Sequence, residues 1–264
     1  MDKKIVKVKM FERPLDNIVG DGGYLSIFKT ICVVGDSLSS GEIEYYGKVN
    51  NDRHCFDMYD RSWGAYIEKM TGSKVSFMSY GGASASSIIA NAKNNNYFSK
   101  DYYAEAYIIA LGYNDMLGCA QKTGTMDDIH NPDSKSFAFY YYFLLSKLKE
   151  INPYARFFFV DMPKTPFWPK EKKKRIVEMR NMLISLTHEV SNAYLIDLYK
   201  HGPIHDKKFK AKYYQADHLN FEGYYLTAKI ICSYIDYIIR KNPRSFFEQE
   251  YYEDIAKNYK DLIS

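Results

Sequence analysis

Thr30-Ile31-Cys32-Val33-Val34-Gly35-Asp36-Ser37-Leu38-Ser39-Ser40-Gly41 joins a run of apolar, largely β-branched residues to a Gly-Asp-Ser turn. The run reads as an interior strand, Gly35 permits a sharp bend, and Asp36 or Ser37 can open a helix. A strand that stops on such a turn holds a serine hydroxyl out over its C-terminal end. Ser37 is therefore the candidate nucleophile. Taken alone the tripeptide is ordinary turn chemistry, so its weight comes from the polar turns and the histidine further along the chain.

Working outward, short apolar runs at 29–34, 74–79, 106–111, 155–160 and 193–197 alternate with helical patterns. This alternation predicts an α/β fold: a three-layer α/β/α sandwich around a five-stranded parallel sheet, wound as in flavodoxins. Helices are expected over 61–71, capped by Asp60 and stopped by Gly72, then after Gly82, over 134–151 and over 170–191. The last long helix is expected over 220–239, with Asn220 as cap and Leu226, Ile230, Tyr234 and Ile238 forming an apolar stripe. No internal repeat or low-complexity linker divides the chain. Residues 1–264 therefore read as one domain, with a leader at 1–28 that carries a strand at 5–10, a core at 29–240 and a peripheral helix at 241–264.

Composition bounds the function. With 264 residues, 46% hydrophobic and 26% charged, the chain can bury a sizeable core and is not disordered overall. Its net charge of +4 is small and dispersed, which argues against nucleic acid as a partner. The densest basic run, Lys170 to Arg175, opens an amphipathic helix and reads as a solvated face. The 26 tyrosines predict a Tyr-rich core and cleft. Cys32, Cys55, Cys119 and Cys232 lack metal-type spacing and read as free thiols in a reducing compartment. The N-terminus lacks the apolar stretch of about 7 to 15 residues that a signal peptide needs, so a cytoplasmic location is expected. The apolar stretch from Tyr224 to Ile239 is broken by Lys229 and Asp236 and reads as a packed helix, not a membrane span.

In open parallel sheets ligands bind at the C-terminal ends of the strands. Three polar, glycine-bearing turns occupy that edge: Gly35-Asp36-Ser37, Tyr80-Gly81-Gly82 and Gly112-Tyr113-Asn114-Asp115. An acyl-transfer site needs a nucleophile, a base and donors for the developing oxyanion. Ser37 supplies the first. Its own N–H, the Gly81 N–H and the Asn114 amide form a candidate three-donor oxyanion hole. The base is sought in Gln215-Ala216-Asp217-His218-Leu219-Asn220, just before the last helix, and His218 is the choice. The pair His201 and His205 has i, i+4 spacing, but Gly202 and Pro203 argue for a loop and not a helical metal site.

These blocks, Gly35-Asp36-Ser37-Leu38, Ser79-Tyr80-Gly81-Gly82-Ala83, Gly112-Tyr113-Asn114-Asp115 and His218-Leu219-Asn220, appear in the order found in the SGNH, or GDSL, hydrolases. The chain resembles that family over roughly residues 29–240. The resemblance implies hydrolysis of an ester through an acyl-serine intermediate, with neither metal nor organic cofactor. It implies Ser37 as nucleophile and first oxyanion donor, Gly81 and Asn114 as the other donors and His218 as general base. The expected partner is a small-molecule or carbohydrate ester, with short-chain acyl groups such as acetyl favoured by family analogy.

The chain departs from the family at one point. The family usually carries an Asp three residues before the catalytic His, and Gln215 stands there. Asp217 can turn inward, Gln215 can offer its amide oxygen, or a backbone carbonyl can hold the ring in a Ser-His dyad; the dyad is the favoured reading. Gln215 also motivates the rival reading of a catalytically silent scaffold that binds carbohydrate or serves assembly. A flavodoxin-like nucleotide binder is the third reading, disfavoured because Asp36 puts negative charge in the first loop. The long connection from Met116 to Asp133 is expected to shape the substrate pocket together with Tyr113, and Phe167 and Trp168 to form a further wall.

Overall fold

The computed structural model describes residues 12–48 and 50–247. Five parallel strands form the main sheet: β1 (Thr30–Gly35), β4 (Lys74–Ser79), β5 (Ala106–Ala110), β6 (Arg156–Val160) and β7 (Ala193–Ile196). Two short ladders flank it, β2 (Ile43–Tyr46) with β3 (Arg53–Phe56), and β8 (Tyr214–Gln215) with β9 (His218–Leu219). The helices are α1 (Ser37–Ser40), α2 (Trp63–Thr71), α3 (Ala85–Ala90), α4 (Phe137–Ile151), α5 (Lys170–Glu189), α6 (Leu198–His201), α7 (Lys207–Tyr213), α8 (Phe221–Lys241) and α9 (Pro243–Phe247). The sheet order is β4-β1-β5-β6-β7. This is the doubly wound order, with the chain reversing direction across the sheet between β1 and β5.

Side-chain alternation along each strand separates two cores. Cys32, Val34, Tyr107, Ile109, Phe157 and Phe159 face the α3, α4 and α5 layer. Ile31, Val33, Ile108 and Phe158 face the other layer, where they meet Trp63 and Ile67 of α2 and Ile231 and Ile235 of α8. With both faces covered, the central strands β1, β5 and β6 are apolar through most of their length, which is why they read as continuous runs. The three-layer α/β/α architecture follows from this burial.

Local chemistry sets the helix starts more finely than the pattern suggests. α2 begins at Trp63 because the Ser62 hydroxyl accepts from the Ala65 N–H at 3.2 Å, while Asp60 lies in the 3₁₀ turn before it. α4 begins at Phe137, where the Ser136 hydroxyl takes the Phe139 N–H at 3.2 Å. Asn220 caps α8 as expected, accepting from Gly223 N–H at 2.9 Å.

Of the expected leader, residues 12–28 are described and pack onto α8: Val19 N–H donates to Ser233 Oγ, Tyr24 N–H to Asp236, and Arg240 grips Glu12 through two bonds of 2.8 Å. The expected strand at 5–10 and the end of the expected peripheral helix lie outside the described residues. No helix among the described residues is long and apolar enough to cross a membrane.

Candidate active site

β1 delivers Ser37, the candidate nucleophile. Gly35, its last residue, has no room for a side chain, since a Cβ there would collide with Ser39 Oγ. That close approach lets α1 start directly over the strand end. Asp36 caps α1, its Oδ1 accepting the Leu38 N–H at 3.1 Å, and Ser37 stands at the first helical position. Its Oγ lies 3.0 Å from His218 Nε2.

His218 sits on β9, reached through the Ala216-Asp217 turn, with Gln215 directly across the ladder. Its Nδ1 lies 2.8 Å from Glu44 Oε2. The acid beside the histidine is therefore Glu44, from the β2–β3 hairpin. Asp217 does not fill that place: its side chain is 78% exposed and its carboxylate faces Lys210 Nζ at 3.6 Å. Asp217 belongs to the turn before β9, and with His218 turned toward Ser37 its carboxylate is directed to solvent. Gln215 is likewise exposed. The favoured dyad is corrected by the same contact, because the partner of Nδ1 is a carboxylate.

Glu44 is buried and fully partnered. Its Oε1 accepts from Arg53 Nε at 2.7 Å and from Tyr46 OH at 2.9 Å, both across or along the same hairpin face. Burial by itself would raise its pKa, but hydrogen bonds from Arg53, His218 and Tyr46 outweigh that and bring it down to about 2. Glu44 is thus a fixed anion throughout the neutral range. The sequence signal for it was the alternation in Glu42-Ile43-Glu44-Tyr45-Tyr46, followed after a turn by Arg53-His54-Cys55-Phe56: a hairpin whose polar face carries an acid and a base.

A second carboxylate reaches the same ring. Glu42 Oε1 lies 3.2 Å from His218 Nε2, and its Oε2 lies so close to Gly81 that a Cβ on that glycine would collide with it. The Glu42 backbone carbonyl is anchored by Tyr224 OH of α8 at 2.6 Å. The Cys55 thiol, pushed up by burial and by Glu42, lies beside it.

Ser37, Gly81, Asn114 and His218 all line one cleft of about 630 Å³ at the C-terminal edge of the sheet. The Gly81 N–H makes only a long contact, 3.4 Å, to Asp57 Oδ2. The Asn114 amide donates to Ala83 O at 3.0 Å and lies 3.4 Å from Asp36 Oδ2. Burial pushes Asp36 up to about 7, with the charges of Asp115 and Glu42 adding to it, against the hydrogen bond from Leu38.

On the opposite wall Tyr113 and Trp168 lie with ring centres 5.9 Å apart, and Lys172 Nζ sits 4.1 Å from the Trp168 ring centre while donating to Tyr113 OH at 2.8 Å. Phe167 joins them. The connection 116–133 has a different place from the one expected. Arg175 of α5 donates to Met116 O, Thr123 to Glu178, and the stretch packs on α4 and α5 outside the cleft walls. Its length serves that packing. His205 bonds Tyr214 OH through Nδ1 at 2.9 Å and stacks on Phe209, while His201 ends α6.

No family model matches the sequence, and neither does any curated protein sequence. Solved structures do match. A family two carbohydrate esterase from Clostridium thermocellum, in complex with cellohexaose, aligns with TM-score 0.57 at 14% identity over 80% of this chain and 64% of its own. TesA aligns with TM-score 0.54 at 15% identity over 79% of this chain and 99% of its own. A possible lipase from Chitinophaga pinensis gives TM-score 0.54 at 15% identity over 80% and 98%. With its β4-β1-β5-β6-β7 strand order and a serine turn at the end of β1, the chain has the fold of the SGNH, or GDSL, hydrolases.

Proposed function

We propose that this protein is a serine ester hydrolase of the SGNH type acting through an acyl-serine intermediate. The observation that carries the reading is the line Ser37 Oγ, His218 Nε2, His218 Nδ1, Glu44 Oε2, with spacings of 3.0 Å and 2.8 Å at its two hydrogen bonds. Glu44 fixes the tautomer with hydrogen on Nδ1 and leaves Nε2 free to accept the serine proton. Ser37 Oγ then attacks the ester carbonyl while its proton passes to Nε2. The imidazolium formed is balanced by Glu44 and returns the proton to the leaving alcohol. Water repeats the sequence on the acyl-serine, releasing the acid and restoring Ser37.

The Ser37 N–H, the Gly81 N–H and the Asn114 amide are the donors for the oxyanion. The long contact at Gly81 leaves that N–H available to a stronger acceptor. Tyr113, Trp168 and Phe167 offer the alcohol side an aromatic wall suited to a sugar ring, so a carbohydrate ester fits the cleft. The rival reading of a silent scaffold was motivated by Gln215; the Glu44 carboxylate 2.8 Å from Nδ1 supports the hydrolase reading instead.

The test is fluorophosphonate labelling mapped by mass spectrometry on the native chain and on His218→Ala, alongside hydrolysis of p-nitrophenyl esters. Labelling at Ser37 that collapses in the variant is expected. A folded protein that neither labels nor hydrolyses any ester overturns the reading.

A further inference from the structure

A second cavity, about 80 Å³ in volume, adjoins the cleft between the ends of β5 and β6 and the face of α8. Its walls are mainly apolar and include Leu38, Trp63, Val160, Phe209, Ile230 and Ile231. Asp36 and Leu38, the two neighbours of Ser37 in the chain, line both this cavity and the cleft; Met162 and Tyr214 do the same. The void and the cleft thus meet at these side chains, together with Tyr113 and His205.

Voids of this size are few in a packed interior. Apolar ones stay dry and accept apolar guests; an engineered void of about 150 Å³ in another protein takes a benzene ring, so one of half that volume takes about three carbon atoms. Burial also biases the titratable groups of the wall toward their neutral forms. Asp36 is pushed up to about 7, Asp161 up to about 8 by burial and by the charge of Asp197, and burial holds His205 down at about 4. Burial thus disfavours charge on this wall, which suits an uncharged chain.

We propose that this cavity is the acyl pocket of the Ser37 site, selecting straight saturated acyl groups of about four to six carbons over acetyl and over long chains. The proposal rests on the ester-hydrolase reading for the chemistry but not for the binding. With the carbonyl carbon at Ser37 Oγ, the first one or two methylenes run past the shared residues Leu38, Met162 and Tyr214, and the last two or three carbons enter the void. Acetyl is too short to reach it.

Binding is measured without turnover on Ser37→Ala, titrating linear primary amides from acetamide to decanamide by NMR. Affinity should rise about fourfold for each methylene seated in the cavity, between butanamide and hexanamide, and then stop rising. Thr227→Leu, which fills the void from α8, should end the rise at a shorter chain with acetamide binding and melting temperature retained; Ala110→Val fills it from β5 should the first variant not fold. Affinity that ignores chain length, or a rise unaffected by a folded filling variant, overturns the pocket. Chain-length selection in a protein that hydrolyses no ester would uphold the pocket and sink the hydrolase reading instead.

Discussion

Glu44→Gln should abolish nearly all activity while leaving the fold intact, and the structure says why so small a change has so large an effect. In the native site Oε1 of Glu44 receives two donors, Arg53 Nε at 2.7 Å and Tyr46 OH at 2.9 Å, while Oε2 receives His218 Nδ1–H at 2.8 Å. A glutamine has one oxygen. Arg53 can only donate, so the amide oxygen stays on the Arg53 and Tyr46 side and the NH₂ group is turned toward Nδ1. Nδ1 must then accept, the ring proton moves to Nε2, and Nε2 donates to Ser37 Oγ where it should accept. The general base is lost through the wrong tautomer, an effect worth about 10⁴ in kcat, or about 5 kcal/mol of transition-state stabilisation. The assay is initial-rate hydrolysis of p-nitrophenyl butyrate, with fluorophosphonate labelling rate as a second readout. Asp217→Ala is the control: its exposed contact with Lys210 is worth about 0 to 1 kcal/mol, and kcat should stay within about twofold. A Glu44→Gln protein retaining a tenth of native activity, or an Asp217→Ala protein reduced a thousandfold, would refute the assignment.

The same geometry sets three further outcomes. Asn114→Ala should lower kcat by about 100- to 1,000-fold with little change in KM, because the amide serves the oxyanion more than the ground-state ester; a tenfold rise in KM with kcat unchanged would make it a substrate-binding group. Glu42→Gln removes a carboxylate that lies 3.2 Å from Nε2, where it would steady the imidazolium, so kcat should fall by about tenfold; a rise would show that its closeness to Gly81, and so to the oxyanion, dominates. Asp36 binds its proton more tightly in the folded state than in the unfolded chain, so its contribution to stability is present at low pH and is lost as pH rises to about 7. Denaturant midpoints should therefore fall between pH 5 and pH 8, with Asp36→Asn, which keeps the cap on α1, removing on the order of 2 kcal/mol of that fall; an identical pH slope in both proteins would refute the burial argument.

Much of the architecture is local in origin, and that part was legible. The interior strands β1, β5 and β6 are apolar on both faces because helices cover both, so they stand out as runs in the chain itself, and the edge strands β4 and β7 carry shorter apolar runs. Helix ends depend on which nearby side chain wins a backbone N–H: Ser62, not Asp60, caps α2, and the Ser136 hydroxyl starts α4 at Phe137. The turns that bear Ser37, Gly81 and Asn114 were marked by glycine and polar residues at strand ends, and the rule that ligands gather there brought them to one cleft.

The orienting acid was of another kind. Glu44 and His218 lie 174 positions apart, and neither residue's neighbours in sequence reveal the other. Glu44 lies in a short hairpin outside the main sheet, and only the folding back of β2 and β3 over the β8–β9 turn sets its carboxylate against Nδ1. The same is true of the cavity beside Leu38, which exists because α8 and the ends of β5 and β6 fail to fill the space between them. The amino-acid sequence by itself determined the strands, the Asn220 cap and the turn that bears Ser37, since each is written in a short stretch of neighbouring residues. The partner of the histidine and the room for an acyl chain were decided by tertiary structure alone, because both depend on distances between segments that meet only when the core has closed.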